Sequence, residues 1–163
     1  MSWIKIWKKS KYRYGWRHVN RACQYMISRY DHPLPCKIVA LARGGLVPAT
    51  IMANHLGVRH VYSLGVSSYE QYEDGTERPG HFEMYQRIPM NIKRCRDDEH
   101  VLVIDDISDR GGTFNYAAEY VKSTVGGQII TMALVIRPDT KHVPTYYCDT
   151  IEKDRWVVFP WET

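Results

Sequence analysis

Apolar residues are distributed along this chain in two patterns that take turns: short continuous runs, and stretches spaced as on one face of a helix. Val101-Leu102-Val103-Ile104 is the clearest run, with three β-branched residues in four. Lys37–Ala42, His60–Ser68 and Ile129–Ile136 read the same way, and Tyr146–Ile151 as one more short strand. Runs of this kind predict strands covered on both faces. Between them, Gly15–Tyr30 places Trp16, Val19, Cys23, Met26, Ile27 and Tyr30 at helical spacing, and Asp31-His32-Pro33 ends it. Val47–Leu56 is a second helix, with Pro48 in its first turn and Gly57 as its stop. Thr113–Thr124 is a third, with Thr113 as its cap and Phe114, Ala117, Ala118 and Val121 facing inward, followed by a turn at Gly126-Gly127. Strand, loop and helix in alternation predict an α/β fold, a mostly parallel sheet flanked by helices. Ligands of such a sheet sit at the C-terminal ends of its strands.

From Tyr69 to Glu99 the periodicity disappears. Asp74-Gly75, Arg78-Pro79-Gly80 and Ile88-Pro89 mark turns, and the segment is polar. A loop of this length in a compact domain is functional or disordered.

The length of 163 residues predicts a single domain, 1–163, with a real core. A formal charge of +4 suits a polyanionic small ligand. Lys and Arg are spread along the chain apart from one dense run, Lys5 to Arg17, interleaved with Trp3, Trp7, Tyr12, Tyr14 and Trp16. That run reads as an arm packed on its own domain or a sister subunit, so nucleic acid is not the expected partner. The four cysteines have no C-x-x-C spacing and the seven histidines no H-E-x-x-H, which argues against a disulfide framework and a zinc site. With neither a signal-peptide core nor a transmembrane run, the expected setting is the cytoplasm, with no membrane.

The chemistry concentrates after two of the strands. Val101–Ile104 leads into Asp105-Asp106, then Asp109-Arg110-Gly111-Gly112-Thr113 at the start of a helix. Glycines let backbone N–H groups approach a phosphate, and the helix N-terminus adds positive potential. Paired acids reach sugar hydroxyls or a hydrated Mg²⁺. Lys37–Ala42 leads into a second Gly-rich loop, Arg43-Gly44-Gly45.

An apolar run, two acids and D-x-G-G-T in this order resemble the PRPP-binding signature of the type I phosphoribosyltransferases. The resemblance implies that Asp105 and Asp106 engage the ribose hydroxyls and Mg²⁺, and that residues 109–113 wrap the 5′-phosphate. It implies that Arg43 and Gly44 hold pyrophosphate, and that Asp109 takes a proton from the base as general base. Segment 70–98, led by Ser68-Tyr69, then becomes a mobile lid over the reacting centre, with Arg78, Arg87, Lys93 or Arg94 helping to hold pyrophosphate. V-I-R-P-D at 135–139 and D-R-W-V-V-F-P-W-E at 154–162 are similar to the purine hood of the bacterial xanthine–guanine phosphoribosyltransferases. On that likeness 1–30 is an N-terminal arm and helix and 137–163 a hood, in which Trp156 stacks on the base and Val157 meets its edge. Two positions depart from the family pattern: Arg110 stands where a hydroxyl residue is usual, and Arg137 where a lysine is usual. Arg137 is expected to aim its guanidinium as a fork at O6 and N7 of a 6-oxopurine.

The expected activity is Mg²⁺-dependent transfer of phosphoribose from PRPP to guanine, xanthine or hypoxanthine, releasing pyrophosphate, in a homo-dimer or homo-tetramer. Transfer to another base, and a non-catalytic PRPP-sensing regulator, are the two alternatives.

Overall fold

The computed structural model describes residues 10–68 and 82–162. Its main sheet has six strands: β2 (Lys37–Ala42), β3 (Val61–Ser68), β4 (Phe82–Gln86), β5 (Cys95–Ser108), β6 (Gly126–Ile136) and β7 (Tyr146–Thr150). Their order across the sheet is β4-β3-β2-β5-β6-β7, and every pairing is parallel except β3 with β4. Helices α1 (Trp16–Arg29) and α2 (Leu46–Leu56) cover one face, and α3 (Gly112–Thr124) covers the other. The expected mostly parallel α/β sheet is thus the fold observed.

Val101, Leu102, Val103 and Ile104 are all fully buried because β5 lies between β2 and β6 and both its faces are covered. Leu102 and Ile104 pack toward α1 and α2, Val101 and Val103 toward α3, which is the period-two alternation of a strand. From β2 the chain crosses through α2 to β3 on one side; from β5 it crosses through α3 to β6 on the other. The order therefore reverses between β2 and β5. At such a switch point the loops diverge to opposite faces and leave a crevice at the strand ends.

A two-stranded parallel sheet joins β1 (Ser10–Arg13) to β8 (Arg155–Val158), with Tyr12 opposite Val157. Part of the basic aromatic arm thus packs against the end of its own chain; residues 1–9 lie outside the described residues. Tyr14, fully buried, donates its phenol hydrogen to Asp149 at 2.5 Å, and burial, then that bond, raise the phenol above its ordinary range.

Several expectations need correction. The non-periodic stretch 70–98 is not all loop. Residues 69–81 lie outside the described residues, but 82–86 form β4 and 95–98 begin β5. Alternation was hidden because β4 is an edge strand with polar residues on both faces. Thr113 does not cap α3: that position belongs to Gly111, at φ +85°, with no side-chain cap bond. Gly126 and Gly127, at φ +82° and +72°, open β6 rather than precede it. Trp16 is 59% exposed, outside the buried stripe of Val19, Ala22, Cys23 and Met26. Cys36 and Cys95 form a disulfide: Cys36, just before β2, donates its N–H to the His100 carbonyl, and the irregular stretch of β5 between Cys95 and His100 brings Cys95 back to it; Cys23 and Cys148 are free.

Candidate active site

At the switch point the two Gly-rich loops meet the acid pair. Asp105 and Asp106 are successive residues of β5, and their carboxyls lie within side-chain hydrogen-bond reach of each other. The Asp106 N–H donates to Asp105 Oδ1 at 2.9 Å. Burial, then the neighbouring charge of Asp106, hold the Asp105 carboxyl well above the usual carboxylate range. Burial, then the charge of Glu162, push Asp106 up to about 6. Two desolvated carboxyls with a third acid beside them form a centre that a cation or hydroxyl donors would relieve.

Gly44 lies against this centre. A Cβ there would overlap the Asp106 carboxylate, 2.6 Å from its farther oxygen, so the loop after β2 approaches the acid pair as only glycine can. The neighbouring Ala42–Arg43 peptide is cis, and Arg43 is exposed. A Cβ on Gly45 would likewise run into the carbonyl of Ile104, so β2 and β5 are in backbone contact at the base of the crevice.

The second loop follows β5. Asp109 and Arg110 are exposed, Gly111 is buried, and α3 begins at Gly112. Gly111 combines a left-handed φ with close contact: a Cβ would overlap the backbone nitrogen of His142 and lie 2.9 Å from Thr140 Oγ1. Residues 140–142 brace the loop from outside. Ser108 Oγ donates to the His142 carbonyl at 2.7 Å, and the Lys141 N–H donates to the Arg110 carbonyl at 3.1 Å. The His142 ring stacks on Phe114 at 5.1 Å. The loop is therefore held open as a cradle at a helix N-terminus, with the amides of Gly112 and Thr113 in the first turn, where no intrahelical acceptor exists.

A cleft of about 160 Å³ lies between the end of β5 and the C-terminal segment. Its walls are Asp106, Ile107 and Asp109 after β5, Arg137 after β6, Trp156 and Val157 on β8, and Phe159 and Glu162 beyond. Trp156 is 55% exposed and borders this cleft, while Val157 is buried and paired with β1.

Of the residues expected from sequence, Asp106, Asp109, Arg137, Trp156 and Val157 line this cleft, and Gly44 packs against Asp106. Arg137 does not present a fork. Its Nε donates to Asp109 Oδ1 at 2.9 Å, and its Nη1 donates to the carbonyls of Ile151, Glu152 and Arg155 at 3.1, 2.7 and 3.0 Å. Nη2 is the nitrogen left without an acceptor among the described residues. Two of the three nitrogens expected to read O6 and N7 are thus committed to acceptors inside the protein. Nor does Arg94 face the crevice, since its Nη1 donates to the carbonyls of Ser123 and Thr124 at the end of α3.

Three contributors were missed. Tyr85 on β4 lies across Gly65 and donates its hydroxyl to the Ala42 carbonyl at 2.8 Å, at the root of the first loop. Phe82, also on β4, lies over Gly112 and stacks on Tyr116 at 5.3 Å. Glu162 returns from the last turn to face Asp106, its carboxylate accepting from the Phe159 N–H at 2.8 Å. Nothing in the sequence marked Tyr85 or Phe82. The aromatic end of the chain did signal the 159–162 segment.

Comparison with known proteins gives a consistent result. The phosphoribosyl transferase domain family matches residues 17–163. A xanthine-guanine phosphoribosyltransferase of Gluconobacter oxydans (strain 621H) is 33% identical over 129 residues, 77% of this chain and 68% of that protein. One of Idiomarina loihiensis (strain ATCC BAA-735 / DSM 15497 / L2-TR) is 28% identical over 152 residues, 91% of this chain and 84% of that protein. The crystal structure of a purine phosphoribosyltransferase from Pyrococcus horikoshii Ot3 superposes with a TM-score of 0.78 at 30% identity, covering 94% of this chain and 95% of that one. The Helicobacter pylori xanthine-guanine-hypoxanthine phosphoribosyltransferase shares the fold, with a TM-score of 0.73 at 18% identity over 94% of each chain.

Proposed function

This chain belongs to the phosphoribosyl transferase family, and from that premise we propose that it transfers the phosphoribosyl group of PRPP to a 6-oxopurine. The observation that carries this reading is the single cleft in which Asp106, Asp109, Arg137, Trp156 and Val157 meet, drawn from three strand ends. Asp106, which Gly44 packs against, and Asp109, which leads into Gly111-Gly112, line one side of that cleft, and Trp156 gives it an exposed aromatic face. A flat base needs the second and a phosphorylated sugar the first.

The roles follow from the chemistry of each group. Amides of Gly111, Gly112 and Thr113 at the start of α3 bind the 5′-phosphate, with Arg110 at the mouth of the loop. Asp105 and Asp106 accept from the ribose hydroxyls. Arg43 and the backbone at Gly44 hold the pyrophosphate. Trp156 lies on the base, and the backbone at Val157 meets its edge. As the bond from ribose C1 to the pyrophosphate oxygen breaks, the electron pair leaves with pyrophosphate and C1 acquires oxocarbenium character. A base nitrogen supplies the pair for the new C1–N bond, and Asp109 accepts the proton released at the imidazole edge. β4, tied to one loop by Tyr85 and resting on the other through Phe82, helps to exclude water.

Mg²⁺ fits the donors present. Asp105, Asp106 and Glu162 are hard oxygen ligands, and the buried Asp106 carries an unfavourable charge beside Glu162 that a cation would offset. Asp105 and Asp106 would hold it, with Glu162 nearby, and it would supply charge neutralisation for the phosphates.

Pyrophosphate release with guanine, xanthine, hypoxanthine, adenine and a pyrimidine in turn tests the proposal. The 6-oxopurines are expected to react. Adenine presents a donor at position 6 toward the remaining Arg137 nitrogen, so its kcat/KM is expected to be lower by roughly 10²-fold or more. Reaction with the pyrimidine alone, or PRPP binding without turnover of any base, overturns it. Tyr85→Phe is expected to raise KM for PRPP by roughly 3–10-fold, the worth of one hydrogen bond of about 1 kcal/mol. An unchanged KM would detach β4 from the pyrophosphate loop.

A further inference from the structure

We propose that Arg137 is a positioning residue, which couples the base-stacking strand to Asp109, and that its main role is not to read the base. The inference rests on the function proposed above. Arg137 follows the last residue of β6, and its own N–H donates to the Ser108 carbonyl at 3.0 Å, so its backbone is anchored to the end of β5. Its side chain is only 5% exposed, whereas that of Asp109 is 60% exposed. The guanidinium therefore reaches out from the interior to hold an exposed carboxylate.

The opposite side of the guanidinium is enclosed by one turn. The carbonyls of Ile151, Glu152 and Arg155 converge on Nη1, and that turn is closed by the Arg155 N–H donating to the Glu152 carbonyl at 3.2 Å. Arg155 opens β8, and Trp156 is its next residue. A second tie, the Lys153–Asp139 ion pair, links the same turn to the segment after β6. One cation thus joins the candidate base to the strand that carries the stacking face. Three carbonyls and one carboxylate converge on it, and without it the buried contact at the Ile151 carbonyl is lost.

Lysine cannot substitute. A single ammonium has three hydrogens on one nitrogen, whereas here two separate nitrogens serve acceptors on opposite sides. The planar fork is used to span the hood and the loop.

Arg137→Lys and Arg137→Gln, checked for folding by thermal unfolding, decide the point. With 6-oxopurine and PRPP varied separately, KM for the base is expected to rise about tenfold or more and kcat to fall, while KM for PRPP stays within about twofold. Amide hydrogen exchange over residues 151–158 is expected to accelerate while that of 101–104 stays protected. Unchanged exchange over 151–158 overturns the proposal whether or not the base KM rises, because a residue that only reads the base moves KM alone. So does a parallel rise of both KM values with exchange accelerated throughout, which is a role in general stability alone. The exchange measurement needs no turnover. If the unmodified protein transfers phosphoribose to no base, the function proposed above fails, while exchange over 151–158 still tests the coupling on its own.

Discussion

Asp109→Asn is expected to lower kcat by roughly 10²–10⁴-fold, the usual worth of a positioned general acid or base. The substitution keeps shape and, through the amide oxygen, an acceptor for the Arg137 Nε that now lies 2.9 Å from Oδ1. It removes the group's ability to take a proton. Hood and loop therefore stay in place, and the loss reports proton acceptance rather than geometry. Binding of PRPP should persist, because the cradle formed by Gly111, Gly112 and Thr113 is backbone. Single-turnover measurement at saturating PRPP separates the two, and turnover within about threefold of the parent would remove Asp109 from the chemistry.

Gly44→Ala is the second large effect. The added methyl has no room, since its position overlaps the Asp106 carboxylate and Asp106 is more than nine-tenths buried. Either the carboxylate turns away from the ribose site or the loop after β2 lifts from it. Both outcomes strike PRPP rather than the base. We expect kcat/KM for PRPP to fall by roughly 10²-fold, the cost of an approximately 1 Å misplacement in a positioned site. The cost in stability should be modest, about 1–3 kcal/mol as for other overpacked sites. Titration with PRPP together with thermal unfolding checks both. A variant that binds PRPP normally would show that Gly44 and Asp106 do not share the ligand.

These two residues also mark how much could be read without coordinates. Both loops were legible because each is local. Strand, acids, glycines and helix follow one another within some thirteen positions, and turn chemistry acts over that range. The burial of Val101–Ile104 and the stop at Gly57, at φ +67°, follow from the same short-range rules. Membership of a phosphoribosyl transferase family was legible for that reason as well.

What the sequence alone determined, then, was the alternation of strands and helices, the two Gly-rich loops, and which residues are candidates to bind phosphate, sugar and base. The tertiary structure decided which of those residues meet, and in what state. Arg137 carries the same five donors in any setting. Only the return of residues 151–155 beside the end of β6 assigns most of them to carbonyls and to Asp109, rather than to a ligand. The Cys36–Cys95 disulfide, the pairing of β1 with β8, and the bond from Tyr85 to Ala42 are likewise unmarked in their own neighbourhoods. Each joins groups distant along the chain, and such contacts depend on the free energy of packing the whole sheet rather than on the propensities of the residues involved. The acid pair shows the same division. Two adjacent aspartates are ordinary in sequence; burial beneath Gly44 and beside Glu162 makes Asp106 the reluctant anion of the site.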